Sequence, residues 1–182
     1  MWSDANPRHY PIVITLNAKD DAIEQPEFVR PLPFNADSWN RLDLAIRAAL
    51  ENKLFTPDDL RGSHSSLYSA IQAGWPSLNT LRGKFIFVLD HSGPKLETYI
   101  EGHTALRNRA MFVNAMEGTP EAAIRIVNDP TEQFDYIQSL VTQGYVVRTR
   151  ADADTVEART GETKRRTSAF SSGAQIISTD YY

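Results

Sequence analysis

Four short apolar segments of this chain are each followed by polar or charged residues, and this repeated pattern restricts the folds open to it. The segments cover residues 12–16, 84–89, 145–147 and 173–178. The polar residues that follow them are Asn17 and Lys19, Asp90, Arg148 and Arg150, and Asp180. A segment that is apolar on both faces is typical of a buried parallel strand. Parallel α/β sheets place ligand-binding groups beyond the carboxyl ends of their strands, so we expect functional residues at these positions.

Helical segments alternate with these strands along the sequence. Residues 110–113 predict one more short strand, which ends at Asn114. The pattern predicts helices over residues 38–52, 66–73, from 119 onward, over 129–144 and over 163–171. The helix at 119 is predicted because Thr119 is a good cap and Pro120 suits a first helical position. Alternation without hairpin signals predicts a single α/β domain over 1–182, with parallel strands joined by right-handed crossovers.

Composition excludes several classes of function. The 182 residues carry a formal net charge of −4, and phosphate neutralisation by a nucleic-acid binder needs a strong basic surplus. The sequence holds no cysteine, which excludes disulfide and thiolate chemistry. No apolar run approaches the roughly 20 residues that span a bilayer. Residues 1–7 lack the basic and apolar regions of a secretory signal peptide.

Six stretches, taken in their order and spacing, resemble the calcium-dependent phosphoinositide phospholipase C family of bacteria and fungi. They are PIVITLNAKDD (11–21), TPDDLRG (56–62), GWPSL (74–78), LRGKFIFVLD (81–90), VRTRADAD (147–154) and SGAQIISTDY (172–181). The superfamily also holds glycerophosphodiester phosphodiesterases. The resemblance implies a partial TIM-type (β/α) barrel whose parallel strands correspond to about the last five of eight, with the N-terminal strands lacking.

The family's chemistry implies a phosphoric diester hydrolase or lyase that cleaves phosphatidylinositol-like lipids at a membrane surface. One histidine removes the proton of the inositol 2-hydroxyl, which attacks phosphorus, and a second protonates the leaving oxygen. A metal ion or guanidinium stabilises the charge on the phosphoryl oxygens. The contexts of His9, His64, His91 and His103 match neither catalytic histidine. Enzymatic activity is therefore left open by the sequence.

Two alternatives remain beside this function. One is a glycerophosphodiester phosphodiesterase, which the superfamily also contains. The other is a noncatalytic domain that binds phosphorylated ligands or associates with itself, because a partial barrel exposes the edges of its first and last strands. Family resemblance also implies a secreted or periplasmic protein.

The resemblance assigns catalytic and metal-binding roles to three residues. Asp180 stands where the superfamily ends its last strand with a Thr-Asp-Tyr sequence, and it would orient or charge a catalytic group or bind substrate hydroxyls, with a loop cap at the strand end as the alternative. Lys19 would meet the phosphate. Asn17 stands where relatives usually have a glutamate that binds calcium. An amide oxygen is a calcium ligand without the anionic charge of a carboxylate. Ca²⁺ is thus the expected cofactor, with Asn17 as its candidate ligand.

Four further residues are candidates for binding the substrate. Arg148 and Arg150 are two apart on a strand, so they share a face, and guanidinium groups hold phosphate with directional donors. Asp90 resembles a substrate-contact position, with a turn cap as the alternative. Tyr181 would pack over the inositol face, with an ordinary surface aromatic as the alternative.

Two expectations about the arrangement of these residues follow. The alternative for the two arginines is a set of surface ion pairs with Asp152 and Asp154, which are common and weak. If the functional interpretation holds, Lys19, Asp90, Arg148 and Asp180 lie on one rim of the barrel.

Overall fold

A computed structural model describes residues 6–181 and shows an arc of six parallel strands. The strands are β1 (Ile12–Leu16), β2 (Phe85–Leu89), β3 (Phe112–Val113), β4 (Ile124–Ile126), β5 (Val146–Arg150) and β6 (Ile176–Ser178). They form two three-stranded sheets, ordered β1-β2-β3 and β4-β5-β6, with every pair parallel. A parallel bridge between Asn114 and Ile124 connects the two sheets. The prediction of an α/β fold with a partial TIM-type barrel is confirmed.

Seven helices connect and cover the strands in the described part of the chain. They are α1 (Ala36–Leu50), α2 (Pro57–Arg61), α3 (Leu67–Ala73), α4 (Pro94–Ile100), α5 (Phe134–Thr142), α6 (Val156–Thr160) and α7 (Lys164–Ser171). Short 3₁₀ turns occupy Glu51–Lys53 and Thr104–Leu106. The helices predicted over 38–52, 66–73, 129–144 and 163–171 correspond to α1, α3, α5 and α7.

The helix predicted from Thr119 onward is wrong, and a strand follows instead. The amide of Ala122 donates to the carbonyl of Thr119 at 3.0 Å, and the Thr119 hydroxyl donates to the Met116 carbonyl at 2.8 Å. These bonds close tight turns rather than start a helix. Ala122 and Ala123 are fully buried, and the chain then enters β4. A three-residue strand is too short to show a period-2 pattern. The capping pattern of Thr119 and Pro120 was therefore the stronger signal in this part of the sequence.

Aromatic side chains pack together next to β3. Phe112 on β3 lies 6.1 Å from the ring of Phe55 and 6.0 Å from that of Trp75. The Trp75 indole nitrogen donates to the carbonyl of Gly144 at 3.0 Å, directly before β5. These contacts connect β3 to the segments that precede β2 and β5. We call the carboxyl ends of the strands the open rim.

A buried ionic network joins α1 and α4 on the outer side of the sheet. Arg109 is 2% exposed, and its guanidinium lies 3.2 Å from the carboxylate of Asp43 and 2.8 Å from the amide oxygen of Asn40. Its Nε donates to the Tyr99 carbonyl at 2.6 Å. The Tyr99 hydroxyl donates to Asp43 at 2.8 Å and accepts the amide of Met111 at 3.0 Å. Every charge in this network is therefore paired, as burial requires.

Candidate functional site

Strand register places polar side chains from consecutive strands next to one another on the open rim. Leu16 pairs with Leu89, and Leu89 pairs with Val113, so the residues one step beyond them are neighbours. These are Asn17, Asp90 and Asn114. Residues at equal register on parallel strands share a face of the sheet. The bridge from Asn114 to Ile124 carries this face onto β4, β5 and β6.

Arg148 lies on that face of β5, in register with Ile126 and Ile176. Its Nη1 donates to the side-chain oxygen of Asn128 at 2.5 Å. Partial burial and the positive charge of Arg150 lower the pKa of Arg148, and the negative charges of Asp90 and Asp180 act in the opposite direction. An arginine remains protonated at neutral pH despite such a shift. Asp90, Arg148 and Asp180 are thus electrostatic neighbours at the rim.

Asp180 is held in place by three contacts at the end of β6. Its carboxylate lies 3.9 Å from Nη1 of Arg150 and accepts the amide of Asp154 at 2.9 Å. Its own amide donates to the carboxylate of Asp152 at 2.7 Å. Arg150 therefore has its ion pair with Asp180, not with Asp152 or Asp154 as the surface-pair alternative required. Arg148 has no ion pair within 4 Å in the described residues, which leaves its guanidinium for another anion.

Two asparagines at the rim were not singled out as site residues by the sequence. The side-chain oxygen of Asn114 accepts hydrogen bonds from Nη1 of Arg125 and from the amide of Ile126, both at 3.1 Å. Its side-chain nitrogen donates to the carboxylate of Asp90 at 3.4 Å. Asn128 follows β4 and binds Arg148. The signal for Asn114 was its place directly after a predicted strand. Asn128 gave no signal because β4 itself was missed.

Asn128 is fixed from its other side by α6 and α7. Arg165 on α7 donates from Nη2 to the carbonyl of Asn128 at 2.6 Å, and its Nη1 lies 3.4 Å from Glu157 on α6. Glu157 in turn accepts the amide of Ala153 at 2.8 Å. These contacts connect the loop after β4 to the loop after β5. The guanidinium of Arg148 is consequently oriented by Asn128, which is held in turn by Arg165 and Glu157.

Lys19 lies on an exposed segment just beyond β1, and its neighbours Ala18 and Asp20 are held by Lys95. The ammonium of Lys95 donates to the carbonyl of Ala18 at 2.7 Å and forms an ion pair with Asp20. Lys19 is exposed, and residues 6–181 give its ammonium no ion pair. The structure shows no contact between Lys19 and Arg148. Its place on the rim is set by β1, two residues beyond Asn17.

Tyr181 lies apart from the arginines. It is 57% exposed and lines a crevice of about 340 Å³ between β6 and helices α6 and α7, together with Ile177, Thr179 and Phe170. Ile177 lies within β6, whereas Thr179 and Tyr181 follow its end at Ser178. The crevice has no arginine from β5 in its lining. The role of Tyr181 in holding inositol stays a prediction.

The described residues show no cluster of carboxylates of the kind typical of a calcium site. Ca²⁺ takes six to eight oxygen ligands, usually with several carboxylates. Residues 6–181 contain no group of three or more histidine, aspartate or glutamate side chains placed to hold a metal. Asn17 is exposed and neutral, and the carboxylate of Asp180 already lies 3.9 Å from the guanidinium of Arg150.

Asp152 makes the free energy of unfolding depend on pH in the acid range. Its pKa is lowered by a hydrogen bond from the Thr179 hydroxyl and by the amide of Asp180, with smaller effects from Arg165 and Arg150. A lowered pKa in the folded state contributes stability above the unfolded pKa of about 3.9, and this stability is lost as pH falls through the folded pKa. Asp152→Asn should thus be less stable than the parent at pH 7, with the difference shrinking below about pH 4.

Urea unfolding at pH 7 and at pH 3 measures this effect through the shift in midpoint. Asp21→Asn is the matched control, since Asp21 is exposed and the described chain gives it no partner. A midpoint difference for Asp152→Asn that is the same at both pH values would contradict the assignment.

The comparisons with known proteins agree with this architecture. The whole chain, residues 1–182, matches the family model of Ca²⁺-dependent phosphoinositide phospholipase C. One similar structure is a Ca²⁺-dependent phosphatidylinositol-specific phospholipase C from Streptomyces antibioticus, at a TM-score of 0.67 and 21% identity. Another is a calcium-dependent phosphoinositol-specific phospholipase C from a Gram-negative bacterium, Pseudomonas sp., apo form and myo-inositol complex, at 0.64 and 20%. At these identities the structural likeness shows the fold.

The chain accounts for only part of these larger proteins. The matches cover 98% of this chain in both cases, but 66% of the Streptomyces protein and 61% of the Pseudomonas protein. No curated protein matches the sequence. No helix within residues 6–181 combines the length and apolar character needed to cross a membrane. Because the family model matches residues 1–182, the chain belongs to the calcium-dependent phosphoinositide phospholipase C family.

Proposed function

We propose that this chain is a phosphoric diester hydrolase or lyase of the phosphoinositide phospholipase C type, with phosphatidylinositol-like lipids as its substrates. Family membership supports the reaction class. The observation that carries the proposal is Arg148, a partly buried guanidinium at the open rim with no carboxylate within 4 Å in the described residues. A phosphodiester supplies the anion that this position lacks, because two of its oxygens match the fork of a guanidinium.

The surrounding groups suit the rest of an inositol phosphodiester. Asp90 and Asp180 present carboxylate oxygens beside Arg148, and such oxygens accept hydrogen bonds from sugar hydroxyls. Arg150 is already neutralised by Asp180, so the local charge that remains for the diester is that of Arg148. Lys19 supplies a second cation from the end of β1. In this proposal Lys19 stabilises charge on the phosphoryl oxygens, and Asp180 orients the groups that react.

A second candidate function is a noncatalytic domain that binds phosphorylated ligands. One observation favours it: His64, His91 and His103 form no hydrogen bond to Arg148 or Asp180 among the described residues, and His9 precedes β1, on the amino-terminal side of the strands. The binding site of the two candidates is the same. They differ in whether the inositol 2-hydroxyl loses its proton, which requires a general base within reach.

An assay of two readouts separates the candidates. Purified chain is incubated with phosphatidylinositol in mixed micelles, and release of inositol 1,2-cyclic phosphate is followed by ³¹P resonance. Calorimetry with myo-inositol 1-phosphate measures binding alone. Cyclic product together with binding supports the lyase, and binding without product supports the noncatalytic domain. Turnover of glycerophosphoinositol without cyclic product would favour a glycerophosphodiester phosphodiesterase, and absence of both readouts would overturn the proposal.

Calcium binding by this chain is also a proposal, with Asn17 as one neutral ligand. Because Asn17 is the rim neighbour of Asp90, Asn17→Asp would place two carboxylates side by side. We expect this variant to bind Ca²⁺ at least about tenfold more tightly than the parent, since anionic oxygens strengthen a site for a hard cation. Calorimetric titration with CaCl₂ measures the change. Asn79→Asp, before β2 at the opposite end, is the control, and equal affinities for all three proteins would contradict the role of Asn17.

Two other predictions stay proposals. Self-association is proposed through β1 and β6, each of which has one neighbouring strand in the described part of the chain and so exposes an edge. Export to the periplasm or the medium is proposed on the basis of the family alone.

A further inference from the structure

One side chain on helix α7 reaches the residue that orients Arg148. Arg165 is 19% exposed, and its Nη2 donates to the backbone carbonyl of Asn128 at 2.6 Å. The side-chain oxygen of Asn128 in turn accepts Nη1 of Arg148 at 2.5 Å. In the described part of the chain no hydrogen bond joins Arg165 directly to Arg148. Any influence of Arg165 on the orientation of that guanidinium therefore passes through Asn128.

The backbone on either side of Asn128 is anchored as well. The amide of Val127 donates to the carbonyl of Arg148 at 2.9 Å. The carboxylate of Asp129 accepts two backbone amides of the turn before α5, at 2.9 and 3.1 Å. Arg165 supplies the third anchor, and it is the one that acts on Asn128 itself. A backbone held in this way presents the side chain of Asn128 to β5 in a restricted set of orientations.

The guanidinium of Arg165 is itself held by Glu157 on α6. The Glu157 carboxylate lies 3.4 Å from Nη1 of Arg165 and accepts the amide of Ala153 at 2.8 Å. The amide of Ala153 lowers the pKa of Glu157, and the positive charge of Arg165 acts in the same direction. Glu157 is therefore ionised at neutral pH. The charge that holds Arg165 is present under the conditions in which a phosphodiester would be bound.

The shape of the guanidinium explains why arginine suits this place. Two nitrogens of one planar group reach two partners, Nη2 the carbonyl of Asn128 and Nη1 the carboxylate of Glu157. A lysine ammonium is a point charge on a flexible stem and does not fix two partners relative to each other. The next residue, Arg166, is exposed, and residues 6–181 give it no ion pair. Arg166 thus carries the same charge without the same contacts.

We propose that Arg165 is a positioning residue for the phosphodiester site, which fixes Asn128 so that the guanidinium of Arg148 is already oriented when the ligand arrives. The identity of that ligand rests on the proposed function. A group oriented in advance loses less freedom on binding, and this raises affinity. Residues that support a ligand-binding side chain from behind commonly change affinity by about tenfold or more. Arg165 acts through Asn128 and does not contact the reacting atoms.

A double-mutant cycle with myo-inositol 1-phosphate tests the inference by calorimetry. Arg165→Met should weaken binding about three- to tenfold in the parent, and Arg165→Lys should recover little of it. Arg166→Met is the matched control and should bind like the parent. In the Asn128→Ala background, Arg165→Met should have no further effect, because the link to Arg148 is already broken. Equal losses in both backgrounds, equal losses for Arg165→Met and Arg166→Met, or an unchanged affinity would each overturn the inference.

The guanidinium resonances of Arg148 in the ligand-free protein test the inference separately from the function. They are assigned by their loss in Arg148→Gln. The bond to Asn128 should keep the Nη signals of Arg148 separate in the parent and in Arg166→Met, whereas they should merge in Arg165→Met. Glu157→Gln should have the same effect and is the second variant if Arg165→Met unfolds in a melting experiment. Signals unchanged in these variants would overturn the inference, whereas a parent that does not bind myo-inositol 1-phosphate would overturn only the proposed function.

Discussion

Replacement of Arg148 by glutamine is expected to weaken binding of myo-inositol 1-phosphate at least about 30-fold. The variant keeps much of the side chain's length but removes the charge that faces Asp90 and Asp180. Without the guanidinium charge, the carboxylates of Asp90 and Asp180 would repel the phosphate. Isothermal calorimetry at pH 7 measures the loss. If the chain is catalytic, cyclic phosphate release should fall by at least the same factor.

Two further variants show whether the guanidinium itself is what matters. Arg148→Lys keeps the charge without the planar fork, so it should recover only part of the affinity. Asn128→Ala removes the oxygen that orients Nη1 of Arg148 and should cause a smaller loss. An Arg148→Gln variant that binds as tightly as the parent would show that the phosphate is held elsewhere.

Removal of the buried cation Arg109 is expected to cause the largest loss of stability. Arg109→Met leaves Asp43 without its ion-pair partner and the Tyr99 carbonyl without its donor. Burial and the negative charge of Asp43 raise the pKa of Tyr99, so its hydroxyl stays neutral and cannot replace the cation. Breaking a buried pair on one side costs about 3–5 kcal/mol. For a chain of this size that lowers Tm by roughly 6–20 °C.

Calorimetric melting of Arg109→Met measures this loss of Tm. An exposed ion pair on α1, the helix that carries Asp43, provides the comparison. Arg41 lies 3.2 Å from Asp37 on α1 with both side chains over 70% exposed, and such a pair contributes about 0–1 kcal/mol. Arg41→Met is thus the control. If both variants melted within a degree or two of the parent, the network would not stabilise the fold as described.

Much of the fold follows from the sequence because its strands are apolar on both faces. The segments beginning at Ile12, Phe85 and Ile176 are all strands, and their order is sequential. β4 could not be predicted because its three residues include Arg125, whose guanidinium is bound by Asn114 and the carbonyl of Ala115. That compensation arises from tertiary contacts, which a local pattern does not contain.

The rim could be predicted only in part, for a similar reason. The sequence predicts Asp90, Arg148 and Asp180, because a polar residue that follows an apolar segment can be recognised from the sequence alone. The structure brings these three residues together. The support from Asn128 and Arg165 depends on how the loops after β4 and β5 pack. Tyr181 follows the end of β6 and lines the crevice with Phe170, a position that depends on how α7 packs beside the strand.

The central claim is that the carboxyl ends of the strands form one phosphodiester site around Arg148. Backbone resonance mapping during titration with myo-inositol 1-phosphate tests it most directly. Shifts that cluster at Asp90, Asn114, Arg148 and Asp180, and disappear in Arg148→Gln, are the predicted result. Shifts confined to the crevice beside Phe170 and Tyr181, unchanged in that variant, would contradict it.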